Sequence, residues 1–303
     1  MEILTKKEQK EQEMYFKVLE NAVDSEKKID YFNDHALSRS SLCDLKISPY
    51  RFWYKNILGQ KQEPTKEMLL GSAFHSIVLE PDTFDSLYAV SPNLDKRTKI
   101  GKELFNNFLM KTGNKIIIDH KDFDLLQNMK LKLQQNKIAI KMLEQANYKE
   151  QEYYFNYEDL DLKSKLDAVD TNNNIIIDLK TVASIESDDD IAKKFINYHY
   201  SEQVFIYSLA YELKYNILPE FYIIAVEKKE PFEVKVYKMS NYFYALGQKN
   251  ILNLIQKYKD CVNRWGLSSD VPWLEEEPKE LLPPKWVINQ FDNEFDSVDE
   301  LLI

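Results

Sequence analysis

The sequence predicts an α/β (α+β) fold in which helices flank one central mixed sheet. Three observations point there. Residues 151–180 read as three short strands, QEYYFNY (151–157), LKSKLDAVD (162–170) and NIIIDLK (174–180), joined by the turn-type compositions EDLD and TNNN. FYIIAVE (221–227) and EVKVYKM (233–239) read as a further hairpin around KKEP. Helical patterns stand on both sides of these strands.

Taken in order, residues 1–30 read as a charged helix with weak periodicity, an arm. SRSSLCDLKISPYRFWYKN (38–56) offers a serine cap, an apolar stripe through Leu42 and Leu45, and a break at Pro49. EMLLGSAFHSIVLEP (67–81) predicts a helix that ends at Pro81, and residues 100–145 predict two helices around a short IIID segment at 116–119. After the three strands, FINYHYSEQVFIYSLAYELKY (195–215) predicts one long helix, and residues 241–265 a last one. The expected divisions are an arm (1–34), one domain (35–270) and an acidic tail (271–303).

Composition narrows the function classes. Hydrophobic residues make up 44% of the 303, enough for a sizeable core. No apolar run approaches a membrane span, and charges fill the N-terminus where a signal peptide needs an apolar stretch, so a cytoplasmic protein is expected. The two cysteines, Cys43 and Cys261, exclude a four-cysteine zinc or iron–sulfur site within one chain and are expected as buried thiols. A net charge of −10 is not that of a sequence-independent DNA binder. The charge is uneven, however. Residues 275–303 hold nine acids against two lysines, and residues 96–143 hold eleven Lys/Arg against four acids. The basic stretch reads either as a solvated helical surface or as a face that contacts phosphates, with Lys96, Arg97, Lys99 and Lys102 at its start.

Alternation along a strand puts Asp178 and Lys180 on one face. If the TNNN turn pairs Thr171 with Asn174, Asp167 falls opposite Asp178 and Lys165 opposite Lys180. If EDLD pairs Tyr157 with Leu162, Glu152 falls opposite Asp167. Directly opposed like charges destabilise a sheet by roughly 0.2–1 kcal/mol each, so the row is either exposed or holds a divalent cation. Mg²⁺ suits such a row, because it takes few carboxylates and keeps waters for substrate oxygens. Lys180 on the same face can offset developing charge. On spacing alone, a solvated hairpin face with ordinary charges is the simpler reading.

IIIDLKT with KLDAVD upstream resembles the D-x10-D-x-K form of the PD-(D/E)xK nuclease signature. GSAFHSIVLEP looks like the helix-borne histidine motif of RecB-type nucleases. YHYSEQVFIY resembles their downstream Q-x3-Y helix. SRSSLCDLKISPYRFWY resembles the opening motif of the RecE-type exonuclease VIII domain of phages and prophages. The motifs occur in the same order as in those proteins, over roughly residues 35–265. The resemblance implies a restriction-endonuclease-like core and an exodeoxyribonuclease that degrades one strand of linear duplex DNA, 5′ to 3′, with Mg²⁺ or Mn²⁺. It implies His75, Asp167 and Asp178 as metal ligands, Lys180 as the catalytic lysine, Glu152 as an accessory acid, and Gln203 and Tyr207 as supports of the site or DNA contacts. It also implies a homo-oligomer working on double-stranded DNA ends, with an annealing recombinase as partner. Alone, His75 reads as a core histidine and the Tyr200, Gln203, Tyr207 stripe as packing. An endonuclease of the same superfamily, or a non-catalytic binding module on a nuclease fold, are the rival readings.

Overall fold

The structure, a computed structural model, describes residues 31, 35–60, 63–275, 277–278 and 280–290. Nearly all of the expected arm (1–34) and the last part of the acidic tail (291–303) lie outside the described residues.

The chain opens with β1 (Leu37–Ser38) and α1 (Arg39–Ile47), followed by α2 (Pro49–Phe52), which runs into a π-helical turn at Trp53–Ile57. Next come α3 (Lys66–Leu79), α4 (Pro81–Leu87), β2 (Tyr88–Val90), α5 (Lys99–Thr112), β3 (Ile116–Ile118), α6 (His120–Gln135) and α7 (Lys137–Gln145). The three expected strands follow as β4 (Tyr148–Tyr157), β5 (Leu160–Asp170) and β6 (Ile175–Val182). α8 (Asp188–Asn197), α9 (Tyr200–Tyr215), β7 (Glu220–Glu227), β8 (Val234–Lys238) and α10 (Asn241–Trp265) follow, and residues 285–290 form a last short helix.

The main sheet is mixed, in the order β1-β5-β6-β7-β8, with β4 also on β5. β4, β5 and β6 are antiparallel, β6 and β7 parallel, and β7 and β8 antiparallel. Apolar alternation divides the core in two. Ile176, Ile223 and Ala225 face α1, α9 and α10, while Ile177, Leu179, Ile224 and Val226 face α3, α6 and α7. Fully burying one such side chain is worth roughly 1.5–3 kcal/mol, so a sheet anchored on both faces tolerates a cluster of buried charge between them.

Several boundaries differ from the expectation, each for a local reason. Pro81 does not merely end α3. It opens α4 at the first helical position, where a missing N–H costs nothing. Residues 100–145 hold three helices, because Asn136 stops α6 and caps α7 by accepting from the Ala139 N–H at 3.0 Å. The long helix expected over 195–215 is two, broken where His199 adopts the left-handed conformation at φ 60°. The packed chain also continues past residue 270. Trp273 is fully buried and stacks on Phe52 with ring centres 5.2 Å apart. Both cysteines are free and buried. Among the described residues, no helix is long and apolar enough to cross a membrane.

Candidate metal centre

The site begins where a ladder stops. One edge of β5 is taken by β4, and the other is shared. β1 pairs with Leu162 and Lys163, and β6 pairs with Ala168, Val169 and Asp170. Residues 164–167 on that shared edge lie between the two partners. The β5–β6 register agrees with a hairpin closed by Thr171 and Asn174, and one step beyond its last pair, Ala168↔Ile177, lie Asp167 and Asp178. From there side chains replace the ladder. The Leu179 N–H donates to Asp167 Oδ2 at 2.8 Å, and the Leu179 carbonyl lies 2.6 Å from His75 Nε2. Both backbone groups of a buried strand residue are thereby satisfied by site residues.

His75 stands on α3, on the opposite side of the sheet from α9. A carbonyl only accepts, so Nε2 carries the proton and Nδ1 of the neutral ring presents its lone pair. Nδ1 lies 3.6 Å from Asp167 Oδ2 and 3.8 Å from Glu150 Oε1. Among the described residues, ligand atoms of His75, Glu150 and Asp167 converge within 4.8 Å of one another.

Glu150 is a residue that the sequence reading missed. The β4–β5 hairpin turns on two residues, Glu158 and Asp159, and pairs Tyr157 with Leu160, not with Leu162. The register is therefore two residues from the expected one. Glu152 is opposite Lys165, not Asp167. The position beside Asp167 falls instead to Glu150, whose backbone is left-handed at φ 49°. Lys165 is not opposite Lys180, since the β5–β6 ladder ends first. It pairs with Glu150 Oε2 at 2.9 Å.

Asp178 and Lys180 share a face, as alternation requires. Lys180 Nζ donates to Asp178 Oδ1 at 2.8 Å and lies 2.7 Å from Oδ2, out of line for a hydrogen bond. Gln203 Nε2 donates to Asp178 Oδ1 at 2.7 Å, and Arg39 Nη2 donates to Gln203 Oε1 at 3.3 Å. Arg39, also missed from sequence, leaves β1 beside the shared edge of β5. Among the described residues it has no carboxylate partner within 4.0 Å. Tyr200 places its ring 5.2 Å from Lys180 Nζ, and Tyr207 its ring 6.4 Å from that of Phe221.

The electrostatics follow from this crowding. Burial pushes the Asp178 carboxyl up to about 6, against the pull of Lys180. Burial draws Lys180 down, but Asp178 and Asp167 outweigh it, and the ammonium lies above its ordinary range. His75 is likewise raised: burial opposes the charge, while Asp167 and Glu150 favour it more. Burial, Asp167 and Asp178 together hold the Tyr207 phenol neutral. Glu150 is lowered, its burial outweighed by His75 and Lys165.

This donor set fits a divalent metal ion. One imidazole nitrogen and two carboxylates converge, and a third carboxylate, that of Asp178, is buried beside them with both oxygens against the Lys180 ammonium. The set differs from the expected one in bringing Glu150 in, while Asp178 is held by Lys180 and Gln203.

Lys96, Arg97, Lys99 and Lys102 lie apart from these contacts, in the segment between β2 and β3. Arg97 pairs with Asp95 at 2.9 Å, and Lys96 Nζ lies 3.8 Å from the centre of the Phe105 ring.

The family model described as a PDDEXK-like domain of unknown function (DUF3799) matches residues 38–266, and the chain belongs to that family. Among solved structures, the chain is similar to the "Putative exonuclease" from Eubacterium rectale. The TM-score is 0.57 at 13% identity, over 86% of this chain and 97% of the other. At that identity the likeness concerns the fold. A second structure, SSO0001, aligns with a TM-score of 0.26 at 14% identity over 60% of this chain and 85% of the other, too low to support a conclusion. No curated protein matches.

Proposed function

We propose that this chain is a divalent-metal-dependent nuclease that hydrolyses phosphodiester bonds in DNA, with Mg²⁺ as its ion and Mn²⁺ as a substitute. The observation that carries the reading is the convergence of His75 Nδ1, Glu150 and Asp167 beside the buried Asp178–Lys180 pair. His75, Glu150 and Asp167 would hold the ion, with Asp178 alongside. When bound, it supplies Lewis acidity at the phosphate and lowers the pKa of a water.

The chain's own residues do the rest. Lys180 enters as a cation and places positive charge where the phosphate gains negative charge. Gln203 keeps the Asp178 carboxylate oriented and is itself held by Arg39. The Arg39 guanidinium is also the cation beside the site that can take a phosphate oxygen. Tyr207 offers a neutral phenol on α9, the helix of Gln203.

The finer reading is an exodeoxyribonuclease that enters at double-stranded ends and works 5′ to 3′, leaving 3′ single strands for an annealing recombinase. It is supported by the order of the RecE-type motifs, and the chain shares its fold with the Eubacterium rectale structure named a putative exonuclease. Homo-oligomers and a DNA backbone path over Lys96, Arg97, Lys99 and Lys102 belong to the same proposal. The test incubates the full chain with 5′- or 3′-labelled linear duplex and with closed circular duplex, in Mg²⁺ or EDTA. Mg²⁺-dependent release of 5′ label from linear DNA alone is expected. Cutting of the circle makes it an endonuclease, and no cleavage of either overturns the nuclease reading.

A further inference from the structure

Helix α5 is amphipathic but hardly packed. Gly101 is its buried residue, while Ile100 is 71% exposed, Leu104 47% and Met110 76%. Ile100, Leu104 and Phe108 recur every four residues and so form one stripe. Phe105 and Phe108 stack on each other, with ring centres 6.0 Å apart. Cations surround the stripe. Residues 96–115 hold six Lys/Arg and one acid, and Lys99 and Lys102 have no ion pair among the described residues. A helix this apolar on an open face would bury it against something.

The other end of the chain has the complementary chemistry. Residues 281–303 hold five acids and one lysine. Leu281 is 95% exposed, Leu282 63% and Trp286 69%, and Phe291 and Phe295 follow in sequence. Thirteen residues lie beyond residue 290, a reach of about 43 Å when extended. We infer that the last residues, 291–303, dock on α5, with Phe291, Phe295 and the terminal leucines on the Ile100–Leu104–Phe108 stripe and the five carboxylates on the flanking cations. The opposite charges set which surface is chosen, and the apolar contacts supply most of the affinity. If the basic face also carries DNA, the segment competes with phosphates for it.

Cleavage is not needed to test this. The full chain is made with a benzophenone amino acid at Phe291 or Phe295, irradiated, and its cross-links are mapped by mass spectrometry. Cross-links to residues 96–115 are expected, whether within one chain or between two copies. Their yield should fall about fivefold or more in roughly 0.5 M NaCl, with heparin as competing polyanion, or with charge reversal at Lys96, Arg97, Lys99 and Lys102. An unchanged melting temperature shows that the reversed variant is folded. Cross-links confined to other surfaces, or a yield indifferent to both salt and reversal, overturn the proposal.

Discussion

His75 Nε2 lies 2.6 Å from the Leu179 carbonyl, and this one contact turns the other ring nitrogen toward Asp167 and Glu150. The tautomer of a metal-ligating histidine is set by what its second nitrogen donates to. Here the donor meets the backbone of the strand that carries Asp178 and Lys180. His75→Ala should therefore weaken Mn²⁺ binding about tenfold or more, measured by calorimetry. An unchanged affinity would return His75 to a purely structural place in the core.

The raised His75 pKa gives that binding a pH dependence. Protons compete for Nδ1, so Mn²⁺ affinity should fall as pH drops through the raised pKa, which lies above the ordinary histidine value of 6.5. A binding isotherm series across pH reads this. An affinity flat in pH down to the glutamate range would remove histidine from the ligand set.

Glu150 and Glu152 should behave differently, although both are acids on β4. Glu150→Gln should cost about tenfold or more in Mn²⁺ affinity, while Glu152→Gln stays within about twofold. Equal effects would show that the two-residue turn does not set the register in solution.

Glu202 should hold the α9 end that presents Gln203. It is buried, receives Ser201 Oγ at 2.6 Å, Lys46 Nζ at 3.0 Å and Asn250 Nδ2 at 3.2 Å, and so ties α1, α9 and α10 together. Burial raises its pKa, but the bonds from Ser201 and Lys46 lower it further, to a net depression. Its contribution is thus present above the ordinary glutamate value of 4.5 and is lost as pH falls through the lower folded pKa. Glu202→Gln should cost about 1–3 kcal/mol at neutral pH and progressively less in acid. Urea unfolding at pH 7 and pH 3.5 measures it, and a pH-independent difference contradicts the linkage.

Gly247 lets α10 cross α9 at its first turn. A Cβ there would lie 1.9 Å from the Ser201 carbonyl oxygen, which backbone cannot relieve by a rotamer change. Gly247→Ala should destabilise by about 1–3 kcal/mol, read as a lowered urea midpoint. A neutral effect would mean that the helices part easily.

Much of this was legible in the sequence because it rests on period. Alternation put Asp178 and Lys180 on one face, and the TNNN turn set Asp167 beside Asp178. Helical spacing put Tyr200, Gln203 and Tyr207 together. Glu150 was hidden by the turn that follows its strand. A two-residue hairpin with both central residues at positive φ favours Asn-Gly, and Glu158-Asp159 carries no such signal. The break at His199 is similarly silent, since no Gly or Pro marks it. Arg39 was hidden because its role depends on β1 and β6 sharing one edge of β5, a long-range pairing that no local pattern encodes.

The most direct test is a crystal of the full chain soaked in Mn²⁺ and measured at a wavelength where manganese scatters anomalously. The expected result is an anomalous peak bounded by His75 Nδ1, Glu150 and Asp167, with Asp178 alongside, that disappears in Glu150→Gln crystals. A peak elsewhere, or none at these residues in a preparation that cleaves DNA with Mn²⁺, would contradict the account.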